Sequence, residues 1–402
     1  MKNTPEPAAI PASSLTESAR AVLRMVSRTG PLTRPQLSSA LAFSKPTMSA
    51  AVGELEAQGL LASSGVAKGA VGRTAITYGL GVGAGCVVGV DCGTTQVRAM
   101  LSKLDGTERR ELKQAVDDRE PEALDGDDGR FSAVLTILRA LMNERSITMG
   151  PLRAIAVALP NIISSSLDKL PAREPFLRML NALQAEFRVP ILVENNVNCA
   201  ALAEFHEGAA RDHSFAIYMQ IGVKVGVGIV LDGKLFRGFR GAAGEIGHLP
   251  FPWSETERPR WQYVESYLGS NALLKRCTAE WPTGEGNPPS TAADLFLLAE
   301  TSQHARACVE RHAANIGNLA AACVSVLDPE LIVLGGGVGQ NALLLTGVKA
   351  VIQDLCWPVE IAVSQLANQA TVLGAMRLAI DYTMASLLQE DSSAAFLLPV
   401  NG

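Results

Sequence analysis

Val193-Glu194-Asn195-Asn196-Val197-Asn198 decides how this chain is read, because it closes a short apolar strand and opens an alanine-rich helix. The β-branched residues Ile191 and Val193 run into polar ones. That places Asn195 and Asn196 at the carboxyl edge of a sheet, where open α/β folds hold their ligands. Two adjacent amides there can hydrogen-bond a polyol, and neither can take a proton from it. The same pair also reads as a helix cap, a position that Asn favours, so the residues around it have to separate the two readings.

Upstream, Cys86-Val87-Val88-Gly89-Val90-Asp91 reads as a buried strand running into Cys92-Gly93-Thr94-Thr95-Gln96, then a second strand (97–101) and an Asp105-Gly106 turn. Strand, Gly/Thr turn, strand is how the actin-like ATPase fold opens, with the turn's backbone NH groups facing phosphate. An acidic connection (117–130), a helix (131–143) and a strand (154–159) ending in Pro160-Asn161 lead to the opening stretch. Downstream, strands at 215–221 and 226–231 flank Gly222-Val223-Lys224-Val225. A glycine-rich loop follows over 238–247. Helical patterns at 261–277 and 292–327 precede a strand at 331–334, the run Gly335-Gly336-Gly337, and a last helix from about Thr371. Duplicated strand–turn–strand units with helices between them predict two α/β lobes around a ligand cleft.

A chain of 402 residues with 48% hydrophobic content has room for two or three domains. No apolar run reaches about 18 residues, and residues 1–14 are polar and Pro/Ala-rich without an apolar signal core. A cytoplasmic, nucleoid-associated protein with a disordered leader and no membrane partner is therefore expected. The cysteines (Cys86, Cys92, Cys199, Cys277, Cys308, Cys323, Cys356) are scattered, with no C-x-x-C pair. That spacing argues against a disulfide framework and against a cysteine zinc site. The net charge of −5 is uneven, since residues 1–80 carry +4 and the remainder −9. A basic module on an acidic body suggests that the module alone meets a polyanion.

That module reads as three short helices and a hairpin. The first (15–28) places Ala19, Val22, Leu23 and Val26 at helical spacing and stops at Thr29-Gly30-Pro31. The second opens with the capping box Thr33-Arg34-Pro35-Gln36 and is expected to bury Leu37, Ala40 and Leu41. A third helix, capped by Ser44, repeats Met48, Val52 and Leu55 inward and leaves Lys45, Thr47, Ser49 and Ala50 outward. Small hydrogen-bonding side chains at an outer N-terminal turn suit the major groove. Two strands (60–64 and 74–80) enclose a Gly-rich loop with Lys68 and Arg73, a wing that can enter a narrow minor groove. This is a winged helix-turn-helix pattern. Arg34, Ser44, Lys45, Thr47, Ser49, Lys68 and Arg73 are its candidate contacts to a double-stranded operator.

Assembled, the chain resembles the ROK family (repressors, open reading frames and sugar kinases) over essentially its whole length, in the regulator branch with an N-terminal winged helix. The resemblance rests on Gly-Ala-Ala-Gly-Glu-Ile-Gly-His at 241–248, Val-Glu-Asn-Asn-Val-Asn-Cys-Ala-Ala at 193–201, and Gly72-Arg73 at the end of the wing. It implies an α/β, actin-like (ribonuclease H-like) two-lobed body behind an all-α winged helix-turn-helix domain. It also implies a hexose-type ligand and self-association as a homodimer or homotetramer. Domain limits on this reading are 1–14 for the leader, 15–82 for the winged helix, 83–197 with 372–402 for the first lobe, and 198–371 for the second. Carried over residue by residue, the sugar contacts are Asn195, Asn196, Glu245, His248 and Glu265.

The departures from the family pattern bear on catalysis. Family kinases have an aspartate, the general base, at the position of Asn196, and an amide has no usable basicity near neutral pH. The first phosphate turn, normally with two glycines and a lysine, is Gly93-Thr94-Thr95-Gln96 after Asp91. The second, normally Gly-Thr-Gly-Ile-Gly-Gly-Gly, is Gly222-Val223-Lys224-Val225-Gly226-Val227-Gly228, with bulk where backbone should approach phosphate. The family's zinc cysteines fall at Thr256, Arg258 and Tyr263, leaving His248 as a lone imidazole. The expectation is a sugar-sensing repressor that uses neither ATP nor zinc, with a sugar kinase fused to a DNA-binding domain as the alternative.

Overall fold

The computed structural model describes residues 15–68, 74–93, 95–116, 129–160, 163, 174–252, 255–391 and 396–398. The chain divides into two compact units. One comprises Met1–Leu159, Ser166–Glu194 and Ala375–Gly402, the other Pro160–Ser165 and Asn195–Gly374.

The first unit begins with α1 (Glu17–Thr29), β1 (Leu32–Thr33), α2 (Arg34–Leu41), α3 (Lys45–Ala57), β2 (Leu61–Lys68) and β3 (Thr74–Leu80). Thr16 caps α1, and its backbone NH and hydroxyl both donate to the carboxylate of Glu54 on α3, at 2.9 and 2.6 Å. Ala19, Val22, Leu23 and Val26 of α1 are buried with Met48, Val52 and Leu55 of α3, as the 3.6-residue period requires. Thr33 and Gln36 form the expected capping box. Of the residues expected inside from α2, only Leu37 is buried; Ala40 is exposed and Leu41 half-buried. The helix is only eight residues long and ends at the left-handed Ala42, so Ala40 and Leu41 fall in its last turn, at the edge of the module's core. The wing is a three-stranded sheet in the order β1-β3-β2 rather than a bare hairpin, because Leu32 and Thr33 pair with Tyr78 and Thr77.

The same unit continues through β4 (Cys86–Cys92), β5 (Gln96–Lys103), β6 (Arg109–Ala115), α4 (Arg130–Asn143), β7 (Leu152–Leu159), α5 (Glu174–Phe187) and β8 (Ile191–Asn195). Cys86-Val87-Val88-Gly89-Val90 is wholly buried, as an uninterrupted apolar run between a parallel partner (β7) and an antiparallel one (β5) should be.

The second unit carries α6 (Asn196–Glu207), β9 (Phe215–Ile221), β10 (Val225–Leu231), β11 (Lys234–Leu235), α7 (Tyr263–Leu268), α8 (Ser270–Ala279), α9 (Ala292–Leu298), α10 (Gln303–Leu327), β12 (Leu331–Gly335), α11 (Gly336–Gly339), α12 (Leu343–Leu355) and β13 (Glu360–Val363). Its sheet runs β11-β10-β9-β12-β13. The period of two sorts β9 into faces. Ile217, Met219 and Ile221 join a large core with α7 to α10 and α12, while Ala216 and Tyr218 meet Val197, Ala200 and Ala201 of α6. On β10 the second face is glycine, and a Cβ on Gly228 would lie 2.6 Å from both Ala201 Cβ and Val197 O. Gly226 and Gly228 therefore let α6 lie against the sheet.

Finally α13 (Ala370–Leu388) starts in the second unit and ends in the first, and β14 (Phe396–Leu398) pairs with β8. The first unit's sheet is then β14-β8-β7-β4-β5-β6. Just past α13, Gln389 and Glu390 accept hydrogen bonds from Arg20 and Arg24 of α1, at 3.2 and 3.0 Å. No described helix is long and apolar enough to cross a membrane.

Candidate functional site

The cap reading of Asn195 holds. Asn195 is the N-cap of α6, and its Oδ1 accepts from the backbone NH groups of Val197 and Asn198 at 2.8 and 3.2 Å. That commits the oxygen to the helix. Asn196 is the first residue of α6 and is half-buried.

The glycine-rich loop rests on the same strand that supports α6. Val227 NH donates to Gly244 O at 2.8 Å, and a short 3₁₀ turn over Ile246–His248 follows. Glu245 and His248 face each other across this turn, Oε2 to Nε2 at 3.9 Å. Glu265, on α7, lies beside Gly247, where a Cβ would be 3.6 Å from its Oε2. Gln262 Nε2 reaches His248 Nε2 at 3.4 Å, and the Trp261 ring meets the imidazole edge-on with centroids 4.4 Å apart. Burial pushes the Glu245 carboxyl above its ordinary range; His248 and Lys224 pull it back, and Glu265 adds a smaller upward push. Glu245, His248, Glu265 and Lys224 thus share one electrostatic neighbourhood. Trp261 and Gln262 were not picked out from sequence. Their only signal was position, just ahead of the residue matching the family's glutamate.

The turns tested as phosphate loops lie in different units. Asp91 and Gly93 belong to the first, Gly222 and Lys224 to the second, and Thr94 lies outside the described residues. Lys224 Nζ donates to Pro160 O at 3.4 Å. Asp91 pairs in register with Arg98, but burial wins over that cation and lifts its carboxyl to about 7. The folded value exceeds the unfolded one, so the native state holds a proton that the unfolded chain releases. Stability from this group is full below about pH 4 and falls as pH rises to about 7. We expect Asp91→Asn to raise stability by up to about 4 kcal/mol at pH 8 and by little at pH 4, read as the difference in Tm between the two buffers.

In the winged helix, Ser44 caps α3 by accepting from Thr47 NH at 3.3 Å. Lys45, Thr47 and Ser49 are exposed on its first turns. Arg34 is engaged inside the module: it pairs with Glu56 at 3.3 Å and its guanidinium lies 5.0 Å from the centroid of the Tyr78 ring. That position turns it toward holding α2 against the wing. The Lys68 side chain, and Arg73 with Gly72, lie outside the described residues.

The surroundings of His248 do not fit a structural zinc. The neighbours of its ring are an amide, an indole and a single carboxylate, with no thiol among them. Folding does bring together a different donor set that the scattered cysteines did not foreshadow. Cys277, His304 and Cys308 have their donor atoms within 4.8 Å of one another, the sole such group of three or more among the described residues.

Comparison with known proteins decides the family. Residues 87–382 match the family model described as ROK family, and residues 13–69 match the MarR family. The chain belongs to the ROK family. Within it, the chain is 24% identical over 380 residues to a xylose repressor of Caldicellulosiruptor bescii, covering 87% of this chain and 92% of that one. Its fold is similar to that of a ROK family transcriptional regulator, a homologue of the Escherichia coli MLC protein (TM-score 0.72, 20% identity, 92% and 96% of the two chains). It is also similar to a ROK family glucokinase from Streptomyces griseus solved with glucose and AMPPNP (TM-score 0.60, 20% identity, 73% and 99%). The kinase likeness leaves out about a quarter of this chain. The regulator likeness covers nearly all of it.

Proposed function

We propose that this ROK protein is a DNA-binding transcriptional repressor whose body senses a sugar without phosphorylating it. The observation that carries the reading is the convergence of Glu245, His248 and Glu265 on the Gly247 turn, in a chain that also carries a winged helix. Carboxylates accept hydrogen bonds from vicinal hydroxyls, imidazole and amide groups donate or accept, and Trp261 adds an apolar ring beside them. Asn195 and Asn196 supply two further amides from α6. None of this needs ATP, zinc or another cofactor. A sugar acts on DNA affinity only by binding two arrangements of the protein unequally, and a homodimer or homotetramer on a two-fold operator converts such a difference into half-site spacing.

The likeness to a sugar kinase favours a second reading, catalysis with a substitute base. An amide at 196, and Val223, Lys224 and Val227 where the family turn has threonine and glycines, weigh against it.

The test is binding to a duplex selected from a random library, at two salt concentrations, with and without a panel of aldoses. Specific binding that a sugar weakens is expected. Lys45→Ala should reduce affinity roughly tenfold and lower the salt slope by about 1. Equal affinity for selected and random duplex would sink the repressor reading, and ADP release in the presence of ATP and a sugar would establish the kinase one.

A further inference from the structure

We infer that Cys277, His304 and Cys308 form a binding site for one zinc ion, clamping α8 to α10. Two thiols and an imidazole are the donor types that zinc prefers. His304 and Cys308 are four residues apart on α10, so one helix face presents both, and Cys277 enters from the last turn of α8. The Cys308 Sγ to His304 Nε2 distance is 3.6 Å. Bond lengths of about 2.3 and 2.1 Å at a tetrahedral angle put two such ligand atoms about 3.6 Å apart, so this pair needs no rearrangement to share an ion.

The surroundings suit a thiolate site. Both cysteines are buried and reduced, while His304 is half-buried and gives access to solvent. Arg311 donates to Cys308 Sγ at 3.5 Å, a contact that strengthens once the sulfur carries charge. Trp281 packs edge-on against the His304 ring with centroids 5.3 Å apart, fixing the imidazole plane. Three protein ligands leave the fourth tetrahedral position to water, because Glu280, three residues beyond Cys277, is paired with Arg311 at 2.5 Å. This donor set shares no residue with the sugar-site candidates, so it stands or fails independently of the repressor reading.

The experiment uses the full chain, reduced and stripped with chelator, titrated with cobalt(II) and then zinc. One equivalent of cobalt should give a thiolate charge-transfer band that zinc abolishes, and zinc should raise the Tm. Cys308→Ser and His304→Ala should lose the band, whereas Cys323→Ser, at a buried cysteine elsewhere on α10, should keep it. If a ligand variant fails to fold, the wild-type cobalt spectrum still decides. A tetrahedral spectrum with sulfur charge transfer supports the site. No band and no shift in Tm in the wild type, or spontaneous Cys277–Cys308 disulfide formation with no metal bound after reduction, overturns it. So does cobalt binding that survives Cys308→Ser and is lost in His248→Ala.

Discussion

Gly374→Ala is expected to destabilise this protein by roughly 3 kcal/mol or more, although alanine is the better helix former by about 1 kcal/mol. Gly374 lies in α13 where that helix crosses the backbone of α6. A Cβ there would stand 1.7 Å from Cys199 O and 2.3 Å from its carbonyl carbon. Those are backbone atoms, so no side-chain rotation relieves the overlap and the two helices must separate. Separation strips contacts from the core formed by Val197, Ala200, Ala201 and Ala370 against the sheet. It also shifts the start of α6, where Asn195 and Asn196 sit. Denaturant unfolding followed by circular dichroism measures the loss. A midpoint within error of wild type would mean that α13 does not approach α6 as closely as the structure has it.

The second large effect concerns ligand response. A sugar at a hundred times its dissociation constant stabilises the protein by about 2.7 kcal/mol, visible as a rise in Tm. His248→Ala removes a hydrogen-bonding ring and one of the groups that oppose the upward push on Glu245. Glu245→Gln removes the carboxylate itself. Hydrogen bonds to charged groups contribute about 1.5–3 kcal/mol each, so either variant should weaken sugar binding by roughly ten- to a hundredfold, and the pair should abolish the thermal shift. Operator affinity without sugar should stay at its wild-type level in both. Because burial raises the Glu245 carboxyl, acidification should weaken sugar binding at a higher pH than an ordinary glutamate would, and Glu245→Gln should flatten that profile. A thermal shift undiminished in the double variant would place the sugar elsewhere.

Much of this was legible because local rules and tertiary packing agree. The Thr33–Gln36 capping box, the buried run at 86–90 and the inward periods of α1 and α3 are local signals that folding had no reason to override. Where the expectations fell short, a distant group intervened. The helical period at 261–277 is unbroken in sequence, yet α7 and α8 part at Gly269. There Ser270 NH donates to Gly222 O at 2.8 Å, and a Cβ on Gly269 would come within 2.6 Å of Val223 O. The pattern at 292–327 splits likewise, where Ser302 caps α10. Strand β6 went unseen because Arg109-Arg110-Glu111-Leu112-Lys113-Gln114-Ala115 lies at the sheet edge with no buried face to impose alternation. In the site, the family motifs located Glu245, His248 and Glu265. The cap formed by Asn195 Oδ1 and the ring contact from Trp261 depend on geometry that no motif encodes. The donor set at Cys277, His304 and Cys308 left one trace, a His-x-x-x-Cys spacing on α10, which means little until α8 is folded against it.

The winged module is tied to the chain's last long helix by side chains just past that helix's end. Helix α13 is 19 residues long, about 28 Å. Its first turn belongs to the unit that holds the sugar-site candidates, and the residues just past its last turn grip Arg20 and Arg24 of the first helix in the winged module. Those contacts are polar and open to solvent, with the Arg24 and Glu390 side chains 38% and 42% exposed, so added salt weakens them and the winged module's first helix is held by a link that ionic strength loosens.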